Sequence, residues 1–147
     1  MLNAAYIVGR VFVPVIFIVS GVQKAMDVAG TAKTLADANI PIPEAIVPYL
    51  QGIPKYEALT YLTIAVEIVC GLMIMTGIAA RWGALVLFVF TAAATFYFHN
   101  FWQMSGEAAT LNQVHALKNL SIIGALLLIV SGGPVGRATY GRSESQC

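Results

Sequence analysis

Four long apolar runs limit the fold of this chain more than any other feature of its sequence. They cover about residues 2–22, 58–78, 82–101 and 114–132. Each is close to the roughly 20 residues that an α-helix needs to cross the ~30 Å hydrocarbon core of a bilayer. Unpaired backbone groups are costly in lipid, so such segments have to be helical. The sequence therefore predicts an all-α protein, a transmembrane four-helix bundle.

The composition agrees with a membrane environment and excludes several classes of function. Hydrophobic residues make up 59% of the chain and charged residues only 10%, whereas soluble proteins are about half apolar and about a quarter charged. The net charge of +1 and the absence of a basic block exclude nucleic acid as a partner and leave the lipid bilayer. Cys70 and Cys147 have no CxxC or metal-ligand spacing, so neither a disulfide framework nor a metal site is predicted.

The first connection, residues 23–57, is much longer than the turn at 79–81 or the polar loop at 102–113. Within it, residues 30–39 are rich in helix-forming side chains and end before a Pro-Ile-Pro stop. A second short segment, residues 44–50, combines apolar and aromatic side chains. We expect this long first loop to carry one or two short amphipathic helices at the membrane interface.

The four runs define a single membrane domain, expected to cover residues 1–136 and to be followed by a mobile tail at 137–147. An even number of spans puts both termini and the turn at Arg81 on one side, here called the terminal side. The other two connections then lie on the opposite side, the loop side. Outside the spans each side carries three Lys or Arg residues, so the positive-inside rule returns a tie. The sequence predicts a multi-pass protein of the cell (inner) membrane, with a small preference for cytoplasmic termini.

Glu67 is the most informative residue, because it lies near the middle of the second run, where an ionisable group is expensive. Arg10 lies two turns inside the first run, at a depth expected to be within ~10 Å of Glu67. We therefore predict an Arg10–Glu67 ion pair in the bundle interior, either chemically active or structural. Lys118 is expected to approach Glu67 from the loop side. Pro14 removes the hydrogen bond to the Arg10 carbonyl and predicts a kink.

Polar side chains also gather at the loop ends of the spans and predict a polar vestibule there. His99 ends the third run and His115 begins the fourth, so the two should lie at similar depth. Two such histidines could ligate a haem or a metal, but no further ligand accompanies them, and the pattern disfavours haem. The candidate catalytic residues are Glu67 and His99. The candidate substrate-binding residues are Arg10, Lys24, His115, Lys118 and Asn119.

Short motifs follow one another in a defined order along the chain. After Arg10 they are Gly21-x-x-Lys24-x-x-Asp27, Ile40-Pro41-x-Pro43, Glu67-x-x-Cys70-Gly71-Leu72 and Thr76-Gly77-x-x-Ala80-Arg81, followed by His99 and Lys118-Asn119. In this order, and with four spans, the chain resembles the DoxX family of small membrane proteins up to about Gly136. The family is named for a link to thiosulfate:quinone oxidoreductase subunits, and other members look like membrane anchors of redox assemblies. The resemblance therefore implies a role beside a redox partner protein.

Three functions follow from these observations. The first is a subunit or accessory of a quinone-linked membrane oxidoreductase, in which buried acid and histidine side chains handle protons or a quinone head group. The sequence identifies no cofactor, and electrons would come from a bound quinone or from a partner protein. The second is a small carrier or channel for an anion or weak acid, with Arg10 and Lys118 as substrate charges and Glu67 as the coupling group. Four spans are few for alternating access, so a carrier would need to form a homo-oligomer. The third is a structural membrane scaffold.

Overall fold

The computed structural model describes residues 2–132, with side chains from residue 4 onward. The predicted tail at 137–147 and the end of the predicted domain lie outside the described residues. Within them the chain forms helices and no strand. The α-helices are α1 (Leu2–Phe12), α2 (Val15–Met26), α3 (Val28–Asp37), α4 (Lys55–Thr76), α5 (Ala80–Phe98) and α6 (Gly106–Gly132), and two short 3₁₀ helices cover Glu44–Leu50 and Phe101–Gln103.

Four helical segments in the described chain are long and apolar enough to cross a membrane. They are Ala4–Met26, Lys55–Thr76, Ala80–Gln103 and Gly106–Gly132. The prediction of an all-α, four-span bundle is therefore confirmed. The fourth helix begins well before the apolar run at residue 114, because the polar segment in front of that run continues the same helix.

The first span is interrupted at Pro14, where α1 has ended at Phe12 and α2 has not yet begun. Proline has no N–H to bond the preceding turn. The helix resumes when the Pro14 carbonyl accepts hydrogen bonds from the backbone of Phe17 and Ile18, each at 3.1 Å. The kink predicted from Pro14 is thus confirmed as a break between two helices.

The spans pack in chain order: α1 and α2 lie against α4, α4 against α5, and α5 against α6. Glycine permits the closest approaches. A Cβ built at Gly21 would lie 2.7 Å from Ile68 Cγ1, and one at Gly71 would lie 2.8 Å from Ile18 Cγ1. Small residues at such contacts let membrane helices approach backbone to backbone. Gly21 therefore fixes how closely α2 can approach the middle of α4.

The buried core occupies the terminal half of the bundle. It combines residues of α2, α4, α5 and α6, namely Phe17, Cys70, Ile74, Ala84, Leu87, Leu126 and Ile129. The outer surface of the spans is also apolar, with side chains such as Phe12 (69% exposed) and Leu128 (71%) pointing outward. An outer surface of this kind suits contact with lipid.

The long first loop contains two short helices, α3 and the 3₁₀ helix Glu44–Leu50, where the sequence predicts one or two. Asp27 caps α3, because its side chain accepts a hydrogen bond of 2.9 Å from the backbone N–H of Gly30. The buried residues Ala32 and Leu35 lie on α3, which packs against α4. The 3₁₀ helix Glu44–Leu50 contains no buried residue. Helix α3 thus covers the loop end of the bundle.

Candidate functional site

A cavity of about 520 Å³ lies in the loop half of the bundle, beyond the packed core. This volume falls within the range typical of small-molecule sites. Helices α2 to α6 all contribute to its walls. The apolar wall residues include Ile16, Phe17, Leu35, Leu59, Phe90, Ala94, Phe98 and Ile122, and the polar ones include Ser20, Lys24, Thr63, Glu67, Thr91, Tyr97, His99 and Asn119. We call this space the loop-side cavity.

The loop-side cavity is continuous with the outer surface of the spans. Ile16 lines it and is 43% exposed, and Ala93 on α5 lines it and is also exposed. Thr34 on α3 is a third wall residue that is exposed, and it lies at the loop end. The cavity is therefore accessible both from the apolar surface that faces lipid and from the loop side.

A buried ion pair between Lys24 and Glu67 forms the charged part of the cavity. Lys24 Nζ lies 2.9 Å from Glu67 Oε2 and 3.0 Å from Oε1. The Lys24 side chain is 25% exposed and that of Glu67 only 4%. The hydroxyl of Ser20, one turn before Lys24 on α2, donates a 3.0 Å hydrogen bond to Glu67 Oε1. The carboxylate is therefore held by an ammonium and a hydroxyl from the same face of α2.

The predicted ion pair between Arg10 and Glu67 is wrong, because Lys24 is the partner of this carboxylate. The Arg10 guanidinium contacts Gly77 instead, which is ten residues from Glu67 along α4 and so ~15 Å away at 1.5 Å per residue. Helical side chains lean toward the N-terminus of their helix. Lys24 therefore leans toward the membrane centre, whereas Arg10 leans toward the terminal side.

His99 and His115 lie at the same depth, as predicted, and their rings stack with centroids 5.1 Å apart and planes 21° from parallel. His99 lines the cavity, and its Nδ1 lies 3.1 Å from Asn112 Oδ1. The Asn112 amide nitrogen donates to the Ala108 carbonyl, so Oδ1 is the acceptor and His99 Nδ1 carries the proton. Nε2 is the ring nitrogen of His99 that this hydrogen bond does not use.

The other predicted site residues separate into different places. Asn119 lines the cavity and donates a 2.9 Å hydrogen bond to Thr95 Oγ1. His115 does not line it and lies behind His99. Lys118 is exposed, with its Nζ 3.3 Å from His115 Nδ1, so it does not approach Glu67 as expected. The predicted vestibule residues therefore do not form one group, because His99 and Asn119 line the cavity and His115 and Lys118 do not. Within residues 2–132, no group of three His, Cys, Asp or Glu side chains could hold a metal ion.

The sequence profile of the DoxX family matches residues 5–100, the stretch that contains Lys24, Glu67 and His99. The chain belongs to the DoxX family. This DoxX protein is 29% identical over 128 residues to Inner membrane protein YphA of Escherichia coli strain K12, a match that covers 87% of this chain and 82% of the relative. It is 32% identical over 132 residues to Inner membrane protein YqjF of the same organism, covering 90% and 86%. No solved structure matches this DoxX protein.

The comparisons confirm the resemblance stated from the sequence motifs. Both relatives are inner membrane proteins, and four apolar spans make this DoxX protein a multi-pass membrane protein. The predicted localisation is therefore confirmed. The orientation of the termini stays a prediction.

Several polar wall residues of the site were missed in the sequence, and two of them lie next to its charged pair. Ser20 precedes Lys24 by four residues, and Thr63 precedes Glu67 by four, so each hydroxyl lies one helical turn from a charged side chain that lines the cavity. That spacing is visible in the sequence and would have identified both. The contribution of α3 to the cavity wall has no such signal, because it depends on how the long loop folds back onto α4.

Proposed function

We propose that this DoxX protein is a quinone-binding membrane subunit of an oxidoreductase assembly. The observation that carries the proposal is a cavity open to the lipid-facing surface whose walls are apolar and whose charged part is a buried Lys24–Glu67 pair. A quinone dissolved in the bilayer would enter such a cavity without crossing water. It would offer a flat ring, an apolar tail and two carbonyl oxygens.

The cavity residues fit these three features. Phe90, Tyr97 and Phe98 line the wall and supply aromatic surface for a ring. Asn119 carries a second amide N–H that can donate to a carbonyl oxygen, and Lys24 would do so in place of its present bond to Ser20. The exposed Ile16 lies where an apolar tail would leave toward lipid.

Proton handling is the chemistry that this chain would contribute. A bound quinone exchanges two electrons and two protons when it is reduced to the hydroquinone or oxidised back, and the electrons would pass to or from a partner protein. Lys24 holds a proton 2.9 Å from the Glu67 carboxylate, and this carboxylate can accept one. His99 offers Nε2 as a second acceptor. The His99 ring stacks on the ring of His115, and His115 is within hydrogen-bond distance of the exposed Lys118. Polar side chains therefore continue from the cavity to the protein surface.

The two alternative functions receive less support from the cavity. The carrier hypothesis assigned Arg10 and Lys118 as substrate charges, and neither lines the loop-side cavity. The cation that does line it, Lys24, is already neutralised by Glu67. A scaffold role would use the same ion pair without any ligand, so a direct binding experiment separates it from our proposal.

Photolabelling with a short-chain azidoquinone tests the proposal. The purified protein, in lipid nanodiscs, would be irradiated with the probe, and labelled peptides would be located by mass spectrometry. We expect saturable labelling on α2, α4 and α5 at wall residues of the loop-side cavity, and competition by an unlabelled short-chain quinone.

A matched pair of variants on α5 sharpens the test. Ala94→Trp fills the cavity, whereas Ala92→Trp adds the same side chain at an exposed position that does not line it. Losing a specific apolar site of this kind should lower labelling by about tenfold or more, and Ala92→Trp should leave it unchanged. Equal labelling of the two variants, or labelling that does not saturate, would exclude the loop-side cavity as a quinone site.

A further inference from the structure

A second, smaller pocket of about 210 Å³ lies at the terminal end of the bundle, where α4 ends and α5 begins. Trp82 on the first turn of α5 is 69% exposed, as expected for an aromatic side chain at the level of lipid headgroups. The pocket is separated from the loop-side cavity by the packed core. It is lined by Tyr6, Arg10, Gly77, Ala79, Ala80, Arg81 and Trp82. We call it the terminal pocket.

Arg10 has a buried donor atom in this pocket that no described residue accepts from. Its Nε is buried and has no hydrogen-bond acceptor among the described residues. The guanidinium lies so close to Gly77 that a Cβ at that position would overlap it. Gly77 also has a φ of +85°, the left-handed conformation that ends α4. A buried N–H of a cation without an acceptor is unfavourable, so an additional acceptor, such as an anion, would stabilise this arrangement.

A second guanidinium is fixed at the rim. Arg81 Nε donates a 2.8 Å hydrogen bond to the Val130 carbonyl in the last turn of α6. Neither α1 nor α5 contains an acidic residue. The C-terminal end of α4 and the N-terminal end of α5 contribute about −0.5 and +0.5 of a charge, which cancel. The two arginines are therefore not neutralised by the described residues around them.

We propose that the terminal pocket binds a phosphate group between Arg10 and Arg81. The guanidinium fork matches phosphate oxygens and can donate two hydrogen bonds to one group. The start of α5 adds backbone N–H groups, because the Ala79 carbonyl accepts from Trp82 and Gly83 and the N–H groups of Ala80 and Arg81 precede the first helical bonds. The phosphate belongs either to the headgroup of an anionic phospholipid or to free phosphate. This site is independent of the proposed quinone function.

Native mass spectrometry of the full-length protein tests the site. The protein would be released from nanodiscs that contain phosphatidylglycerol or phosphatidylcholine, and retained lipids would be counted. We expect selective retention of phosphatidylglycerol, lowered about tenfold or more by Arg10→Gln. Lys33→Gln is the matched control, because it removes one positive charge from an exposed position on α3, and it should retain the lipid as the wild type does.

A second arm separates the two sources of phosphate. Inorganic phosphate would be added to the same protein in detergent, with binding followed by equilibrium dialysis. Saturable binding of inorganic phosphate that Arg10→Gln weakens, without selective lipid retention, identifies free phosphate as the ligand. Selective retention of phosphatidylglycerol without such binding identifies the lipid headgroup. Both results support the site.

Ala79→Asp keeps the test valid where Arg10→Gln fails to fold. Ala79 has a φ of +51°, and aspartate tolerates this left-handed conformation. The new carboxylate at the pocket edge should replace the external anion, so the variant should stay folded and lose both forms of binding. The proposal is overturned when the wild type prefers neither phosphatidylglycerol nor phosphate. It is also overturned when Ala79→Asp binds them as well as Lys33→Gln does. Quinone labelling of the loop-side cavity should be the same in every variant, which keeps the two proposals distinguishable.

Discussion

Replacing Lys24 by Met should destabilise the protein more than replacing its partner Glu67 by Gln. The two side chains form one ion pair, with 2.9 Å between Lys24 Nζ and Glu67 Oε2, but their surroundings differ. Glu67 is only 4% exposed, whereas Lys24 is 25% exposed. A carboxylate left alone there keeps just the Ser20 hydroxyl as a donor. An ammonium left alone can move toward the loop side and be hydrated.

The magnitudes follow from this asymmetry. At an effective dielectric constant of about 20, two charges 2.9 Å apart attract by about 6 kcal/mol, and desolvation offsets most of that attraction. Lys24→Met leaves an uncompensated buried charge and should lower the free energy of unfolding by about 3 kcal/mol. Glu67→Gln keeps an acceptor oxygen for Lys24 and Ser20 and should cost about 1 kcal/mol. The double variant should have about the same free energy of unfolding as Glu67→Gln alone, because it leaves no buried carboxylate without a partner.

The assay is reversible unfolding in mixed micelles, followed by circular dichroism at neutral pH. Lys33→Met is the control, since it removes the same kind of charge from an exposed position on α3 and should stay within about 0.5 kcal/mol of wild type. The reasoning is refuted when Lys24→Met costs no more than Glu67→Gln. A double variant whose cost equals the sum of the two single costs, about 4 kcal/mol, would refute it as well, because the two side chains would then not be coupled.

Three further predictions concern a close helix contact, a buried thiol and a helix cap. Gly21→Val should destabilise the α2–α4 contact by about 1–3 kcal/mol, because its Cβ would lie 2.7 Å from a side chain of α4, whereas Gly124→Val, with nothing within 4 Å, should have little effect in the same unfolding assay. Cys70, which is 8% exposed, should not react with a maleimide in native micelles of a Cys147→Ser background and should react in denaturant; rapid native labelling, measured by mass shift, would contradict the packing. Asp27→Ala should remove the cap of α3 at a cost of about 1 kcal/mol and increase amide hydrogen exchange there, and unchanged exchange would show that the cap contributes nothing.

The architecture could be predicted from the sequence because backbone N–H and C=O groups in lipid have to be hydrogen-bonded within the protein. Apolar runs of about 20 residues have to be helices, and short connections have to join neighbours. The break at Pro14 and the helix before the Pro-Ile-Pro stop followed from local chemistry in the same way. A polar vestibule at the loop ends was predicted, but the extent and the apolar walls of the loop-side cavity could not be, because they depend on where α3 lies on α4 and on how far the core extends. Both are set by side-chain packing across distant parts of the chain.

The site was predicted only in part. Glu67 and His99 were identified because an ionisable group inside a span is energetically costly and usually has a function. Both line the cavity. The side chains that contact Glu67 were predicted less well. The depth estimate allowed for the reach of the Arg10 side chain but not for its direction, which is toward the N-terminus of its own helix and so away from Glu67. Lys118, at the start of the apolar part of α6, was misplaced for the same reason, since its side chain bonds His115 on its own helix.

The direction of a helix decides which cation reaches the buried acid. The first span runs from the terminal side to the loop side, and α4 runs back, with Gly21 against Ile68 and Arg10 against Gly77. Side chains lean toward the N-terminus of their own helix, so Lys24 on α2 and Glu67 on α4 lean toward each other, while Arg10 leans away from both. Lys24 neutralises Glu67, and no described acid forms an ion pair with Arg10. The same geometry thus makes the loop-side cavity nearly neutral and suited to an apolar ligand, and makes the terminal pocket positive and suited to an anion.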